Sequence, residues 1–253
     1  MAREQELRRP PITEALVDFR TSPTRPLDET AFGDAIREMY PKKRSQHEIK
    51  AQLRVEKDKP VSSAFDRELL GYHYLSRDER SIAQFRRNGF TYNRLSPYPG
   101  GDAVLDDALK LWAVYVEIAA PNCVSRLALR YINHLTLPTG EQAGKYLFMP
   151  PTPPEGTGHL IEAFLNRVRS HDPETGLKVT TSVASAPAKP GTKGSGLIVD
   201  IDAYRLADIG VAGDELRPVL ESLRSLKNRA FFGSITDATV ELLNGDDANV
   251  RSG

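Results

Sequence analysis

The sequence predicts an α+β protein in which helices pack on one face of an antiparallel sheet. The segment Cys123–Leu137 alternates apolar and polar residues, which is typical of a strand with one buried face. Residues 102–119 carry apolar side chains at helical spacing. The order strand, helix, several strands and helix occurs twice along the chain. This order indicates two loosely similar β-α-β-β-α halves, in one sheet or in two.

In the first half, alternation predicts strands at Ile12–Arg20, His47–Lys57 and Leu69–Leu75. Asp28 is the expected N-cap of a helix that ends near Tyr40, because a short carboxylate side chain can accept from the first free N–H groups.

The dipeptide Asn88-Gly89 predicts a tight hairpin between two further strands. A type I′ turn at these residues places Phe85 opposite Tyr92. Phe85, Phe90 and Tyr92 then share one packed face of the sheet. Asp102 is the expected N-cap of the long helix that follows.

The second half is predicted to contain two strands and three helices after Cys123–Leu137. The strands are Leu177–Ala186 and Gly196–Ala203, and the helices run from about Gly158 to Ser170, from about Arg217 to Lys227 and from Ser234 or Thr236 to Leu243. Pro218 shifts the start of the second of these helices from Asp214 toward Arg217, since proline is tolerated in a first turn. We expect residues 10–121 and 122–244 to form two α+β halves packed as one compact unit, between flexible ends at 1–9 and 245–253.

Composition argues against several classes of protein. Of the 253 residues, 34 are Lys or Arg and 34 are Asp or Glu, so the formal net charge is zero. A neutral chain is not expected to bind nucleic acid, because that binding depends on neutralising phosphates. The single cysteine, Cys123, has no disulfide partner, and no segment has the pattern of a signal peptide or a transmembrane helix. We therefore expect a cytoplasmic protein without a cofactor.

The polar positions of the predicted strands form a second, charged sheet face. Its members are Glu14, Asp18, Lys50, Arg54, Arg126, Arg130, His134, Asp200 and Asp202. Arg130 is the strongest binding candidate, because an arginine in mid-strand is costly to bury unless it holds a carboxylate or a phosphate. Asn133 is a further candidate, although strict alternation places it on the core face. A β-bulge or a local twist would explain that position.

Several short motifs are similar to those of one bacterial family. They are Pro10-Pro11-Ile12-x-Glu14-Ala15, Phe90-x-Tyr92-x-Arg94-Leu95 before Pro97-Tyr98, Arg130-Tyr131-Ile132-Asn133, Asp200-Ile201-Asp202 and the ending from Phe231 to Asp237. Through them the chain resembles, over nearly its whole length, an uncharacterised and sporadically distributed family of bacterial proteins. The resemblance implies the fold and its boundaries, and it implies no activity or catalytic residue.

Two functions remain open. The preferred one is a non-enzymatic binding or interaction protein whose charged face docks a protein partner or a small anionic ligand through Arg54, Arg126, Arg130, Asn133 and His134. The alternative is a metal-dependent hydrolase or nuclease-like enzyme that uses Glu14, Asp18, Asp200 and Asp202. Ion pairs between these carboxylates and the arginines would argue against a metal site. A homodimer formed through the sheet is a third, structural alternative.

Overall fold

One continuous sheet organises the chain. The computed structural model describes residues 2–54, 62–153, 155–156, 158 and 161–245. These residues form a nine-stranded antiparallel sheet and five helices, which confirms the α+β class. None of the helices in these ranges is both long and apolar enough to cross a membrane.

Runs of strands are separated by helices along the chain. The strands are β1 (Ile12–Pro23), β2 (Lys42–Arg54), β3 (Ser62–Leu75), β4 (Ser81–Arg86), β5 (Gly89–Leu95), β6 (Pro121–Leu137), β7 (Leu165–His171), β8 (Leu177–Pro187) and β9 (Ser195–Ile209). The helices are α1 (Glu29–Ile36), α2 (Gly101–Ala119), α3 (Ala143–Tyr146), α4 (Gly213–Ser234) and α5 (Asp237–Asn244).

The strands lie in the order β2-β3-β4-β5-β1-β6-β9-β8-β7 across the sheet. In the first half β1 pairs with β5, and the remaining strands run outward to β2. In the second half β6 pairs with β9, and the remaining strands run outward to β7. Since β1 and β6 pair with each other at the centre, both halves belong to a single sheet and repeat one order of pairing.

The central strand β6 buries the face that its alternation predicts. The apolar positions are at most 2 % exposed, and they are Leu127, Leu129, Tyr131 and Leu135. Helices α2 and α4 contact the sheet through β1, β5, β6, β8 and β9, with Trp112 against Phe19 and Lys227 against Tyr131. The helices therefore cover this core face, and we call the opposite side, with Asp18, Arg126 and Arg130, the open face.

Helix α2 lies deep in the core. Trp112 is 1 % exposed and stacks on Phe19 with ring centroids 4.6 Å apart. The N-cap of the helix is Gly100 and not Asp102. Asp102 instead lies in the first turn and forms an ion pair with Arg224 of α4.

The prediction of a helix near residues 158–170 is wrong. Leu165–His171 form the edge strand β7, which pairs with β8. Apolar residues at helical spacing, among them Ile161 and Val168, produced the expectation, but both are exposed. No buried stripe stabilises a helix here, so backbone pairing with β8 decides the conformation. Residues 159–160 lie outside the described part of the chain.

The hairpin between β4 and β5 forms with a register different from the predicted one. Phe85 faces Phe90, and the two-residue loop is Arg87-Asn88. Gly89 belongs to β5, where an added Cβ would lie 1.9 Å from the carbonyl oxygen of Phe19 in β1. Glycine is required here both for this close approach and for the backbone φ of +139° directly after the loop. The aromatic residues predicted to share a packed face are nevertheless fully buried.

Helix α4 begins at Gly213, earlier than the predicted start near Arg217. The N–H of Leu216 donates to the carbonyl oxygen of Ala212 at 3.1 Å, so the first turn is already closed before Pro218. A proline this close to the start removes one N–H group and leaves the remaining helix intact.

Candidate functional site

The open face brings most of the predicted charged residues together. β1, β6 and β9 are neighbours, and Arg130 lies directly opposite Asp202. Directly paired residues of neighbouring strands point to the same side of a sheet. Asp18 pairs with Ala128 of β6 on one side and with Thr91 of β5 on the other. A band of charged side chains thus crosses the centre of this face.

Asp18 is the centre of that band. Its carboxylate accepts from Arg86 Nη2 at 2.6 Å, Thr91 Oγ1 at 2.6 Å, Arg20 Nε at 3.0 Å and Arg126 Nη1 at 3.0 Å. Burial raises the pKa of Asp18, but the hydrogen bond from Thr91 and the charges of Arg20 and Arg86 outweigh it and hold the pKa below its ordinary value. Asp18 is therefore an ionised anchor for three guanidinium groups.

The two aspartates of β9 are held by the two arginines of β6. Arg126 Nη2 lies 2.9 Å and 2.8 Å from the two carboxylate oxygens of Asp202, and its guanidinium also lies 4.7 Å from the ring centre of Tyr204. Arg130 donates from Nε at 2.9 Å and from Nη2 at 2.6 Å to Asp200. Both arginines are therefore already bound within the face.

The metal-dependent alternative loses its geometric basis on this face. Asp18, Asp200 and Asp202 are each engaged by arginine, and Glu14 accepts from the Asn93 side chain. Within the described residues, no three His, Cys, Asp or Glu side chains are grouped in a way that could hold a metal ion. Carboxylates engaged in this way form a network of ion pairs across the strands.

Asn133 does not belong to the charged face, which corrects its placement beside Arg126 and Arg130. It is 2 % exposed on the core side, and its Nδ2 donates to the carbonyl oxygen of Val199 at 2.9 Å. A register shift in β1 between Ile12 and Glu14 lies beside it, and the hydrogen bond to Val199 satisfies the buried amide.

The remaining predicted binding residues add little to the open face. His134 is on this side, and its Nε2 lies 2.9 Å from the carbonyl oxygen of Pro187. The side chain of Arg54 lies outside the described part of the structure, as does that of Lys50.

A cavity of about 700 Å³ lies on the core side of the sheet. Its walls come from residues 4–7, the loop 98–100, the first residues of α2 and the part of α4 from Arg224 to Phe232. Tyr131 and Asn133 of β6 also line it, as do Pro10 and Pro11. Segments far apart in the sequence therefore meet around one space, which we call the Lys227 cavity.

Lys227 is the exceptional residue of this cavity. It is 9 % exposed, and its Nζ lies 4.0 Å from the ring centre of Tyr131. No carboxylate in the described residues forms an ion pair with it. Burial first, and then the charge of Arg224, lower the pKa of Lys227 to about 8, while Glu4 acts weakly in the opposite direction. A buried cation thus lines the cavity without an oppositely charged partner among the residues that the structure describes.

Two tyrosines supply aromatic surface and hydroxyl groups to the cavity. Tyr98 and Tyr131 meet edge to face with ring centroids 5.7 Å apart, and their hydroxyl oxygens lie 3.3 Å apart. Burial raises the pKa of both, so each hydroxyl keeps its proton at neutral pH and can donate a hydrogen bond.

The N-terminus of α2 opens toward the same space. Gly100 and Gly101 line the cavity, and no side chain caps the first N–H groups of this helix. An added Cβ at Gly101 would lie 2.7 Å from Cζ of Arg224. Glycine at this position therefore lets the guanidinium rest against the start of the helix.

Comparisons with known proteins find no match to this chain among family models, curated proteins or solved structures. The open face and the Lys227 cavity are therefore interpreted from their own chemistry.

Sequence reasoning missed Lys227 and Tyr98, although one signal for Lys227 was present. The buried positions of α4 include Leu216, Leu220, Leu223, Lys227 and Phe231, at helical spacing. A lysine within such an apolar stripe is unusual, because lysine is rarely buried without a partner.

Proposed function

We propose that this chain is a non-enzymatic binding protein that holds a small organic anion in the Lys227 cavity. The observation that carries the proposal is a buried ammonium group that lines a cavity and has no carboxylate partner in the described part of the chain. A buried charge is costly unless another group pairs with it, and an anionic ligand supplies that partner. The volume, about 700 Å³, falls within the range of roughly 300–1,000 Å³ that is common for small-molecule sites.

The chemistry of the walls supports an organic ligand. Phe231, Phe232, Pro10 and Pro11 give apolar surface, while Tyr98 and Tyr131 combine a ring with a hydroxyl group. Binding sites for small molecules commonly combine such apolar walls with a few polar groups that fix orientation.

The residues that line the cavity favour a binding function over hydrolysis. The described residues that line the cavity include no serine, cysteine or histidine, so they offer no Ser–His or Cys–His pair for hydrolysis. For the cellular location we propose the cytoplasm, because a single cysteine suits a reducing compartment.

A second candidate function is docking of an acidic protein partner at one end of the open face. Register places Arg167 and Arg169 of β7 on the same side as Asp200 and Asp202, with Lys178 of β8 beside them. In the described residues none of these three cations forms an ion pair, in contrast to the arginines of β1, β4 and β6. Positive charge is therefore concentrated at this edge.

Native mass spectrometry of protein purified from its own host tests the proposal. We expect a small-molecule mass retained on the wild-type chain. Asn228→Trp should remove it, because Asn228 lines the cavity and an indole would fill the space while Lys227 stays in place. Ser225→Trp, exposed on the same helix and outside the cavity, is the matched control and should retain the mass.

Two outcomes would contradict cavity binding. A small molecule retained equally by Asn228→Trp would place the ligand elsewhere. A retained acidic protein, without a small molecule, would favour docking on the open face.

A further inference from the structure

We infer that the anionic group of the ligand is a phosphate, bound by Lys227 together with Arg224 and the N-terminus of α2. This inference rests on the proposed function, and it names the chemical class of the ligand as an organic phosphate. Three features of the cavity support it: the open helix start, two neighbouring cations and space beside the backbone.

The start of α2 offers N–H groups to an anion. The first N–H groups of a helix have no acceptor within the helix, and the aligned peptide dipoles place about half a positive charge there. In this long helix, Gly101–Ala119, the N-cap is a glycine that provides no side-chain acceptor. The first acidic residue, Asp102, directs its carboxylate to Arg224 Nη1 at 2.6 Å. The helix start is thus open on the cavity side, as it is in many phosphate sites.

Lys227 gives the second, independent indication. Its side chain is buried, lines the same cavity and lies one helical turn after Arg224 on α4. The charge of Arg224 disfavours the ammonium form of Lys227, so the two cations are close enough to repel each other. An anion bound between the two cations would attract both of them and offset their mutual repulsion. Lys227 lines the same cavity as a helix N-terminus and has no ion-pair partner among the described residues, and a ligand would explain both features.

The glycine pair leaves room for the anion at this point. An added Cβ at Gly100, where φ is +111°, would have no atom within 4 Å, whereas one at Gly101 would meet Arg224. The backbone is therefore open to the cavity at one glycine and covered by a guanidinium at the next. This arrangement places cationic and N–H donors around one small space.

Phosphate suits these donors better than carboxylate. A phosphate monoester carries between one and two negative charges at neutral pH and about three terminal oxygens as acceptors. A carboxylate offers a single charge and two oxygens. Lys227, Arg224 and the helix start together supply more donors than a carboxylate can accept. The rings of Tyr98 and Tyr131 would then contact the organic part of the ligand.

Isothermal titration calorimetry of the full chain tests the inference with phenyl phosphate, benzoate and phenol as probes. At pH 7 we expect phenyl phosphate to bind most tightly and phenol most weakly. Lys227→Met should weaken phenyl phosphate binding by about ten- to a hundredfold, the usual effect of losing a hydrogen bond to a charged group. Lys110→Met, an exposed change on α2 that removes the same charge, should leave the affinity unchanged.

The pH profile gives a second readout. Phenyl phosphate loses its second proton near pH 6, and Lys227 loses its proton near pH 8. The affinity for phenyl phosphate should therefore rise to a maximum between these values and then fall, whereas the affinity for benzoate should show only the fall. The other titratable groups that line the cavity with Lys227 are Glu4, Glu6, Tyr98, Asp102, Tyr131 and Arg224.

The results separate this inference from the proposed function. If benzoate binds as tightly as phenyl phosphate and its binding still depends on Lys227, the ligand is an organic anion but not a phosphate. If neither anion binds, or if both bind Lys227→Met as well as the wild type, the proposed function itself is wrong.

Discussion

Lys227→Met should stabilise the folded chain at pH 7 by about 1–3 kcal/mol while removing anion binding. The wild-type ammonium is buried beside Arg224, and its pKa is lowered from 10.5 to about 8. At pH 7 the group is still mostly charged, and folding therefore places this charge in surroundings that disfavour it relative to water. Methionine has a similar length, fills the same space and carries no charge. Urea denaturation at equilibrium measures the difference.

The stability gained by Lys227→Met should decrease as the pH rises above about 8. Between about pH 8 and pH 10.5 the unfolded chain keeps a proton on Lys227 that the folded chain has released. Wild-type stability from this group therefore rises with pH across the interval, and the advantage of Lys227→Met shrinks. Lys110→Met, where the side chain is mostly exposed, should show little change at any pH in this range. A clear loss of stability in Lys227→Met at pH 7 would identify Lys227 as a structural cation.

A residue that lowers stability in the free protein and is needed for binding is typical of a functional site. The two measurements on Lys227→Met therefore belong together. Higher stability with unchanged anion binding would show that the lysine is a packing defect rather than part of a site.

Asp18→Asn is expected to destabilise the chain by about 3–5 kcal/mol, because it leaves Arg20, Arg86 and Arg126 without their shared carboxylate. The Asp18 side chain is only 14 % exposed, so water cannot replace the lost charge fully. The amide of asparagine would also direct N–H groups toward guanidinium N–H groups. Thermal and chemical denaturation at pH 7 measure the loss.

The effect of Asp18→Asn should disappear in acid. The pKa of Asp18 is held below its ordinary value of 3.8, so the ionised group stabilises the fold above that pH. This contribution is lost as the pH falls through the folded pKa, and the two proteins should then converge.

Two control variants show how much stability is lost when a more exposed ion pair is removed, for comparison with Asp18→Asn. Asp34→Asn removes an exposed partner of Arg37 and should change stability by less than about 0.5 kcal/mol. Arg130→Ala breaks the ion pair with Asp200 at a side chain that is 47 % exposed, and it should cost less than about 1 kcal/mol. An equal loss in Asp18→Asn and Arg130→Ala would show that the band of charges has no buried centre.

Local pattern was sufficient for the central elements of the fold. Strong alternation in β6 and a wide apolar stripe in α2 each leave one conformation that can bury the apolar side chains. Local pattern was insufficient at β7, where the apolar residues are exposed and pairing with β8 decides the structure. Position 89 requires glycine in part because β1 approaches it closely. This contact joins residues far apart in the sequence, so a local pattern does not reveal it.

The site was predicted only in part, because its parts come from different regions of the chain. The charged face follows from alternation within single strands, so Asp18, Arg126, Arg130 and Asp202 could be placed together. The Lys227 cavity requires α4, the start of α2 and the N-terminal segment to meet, and only the tertiary structure brings them together. Asn133 follows the strict alternation of β6 and is buried on the core side, so the pattern alone places it correctly and its assignment to the charged face is wrong.

The most direct test is a crystal structure of the full chain grown with phenyl phosphate. We expect phosphate density in the Lys227 cavity, within hydrogen-bond distance of Lys227 Nζ and next to Gly101 at the start of α2. Phosphate bound instead among Arg167, Arg169 and Lys178 on the open face, with the Lys227 cavity free of it, would contradict the assignment of the site.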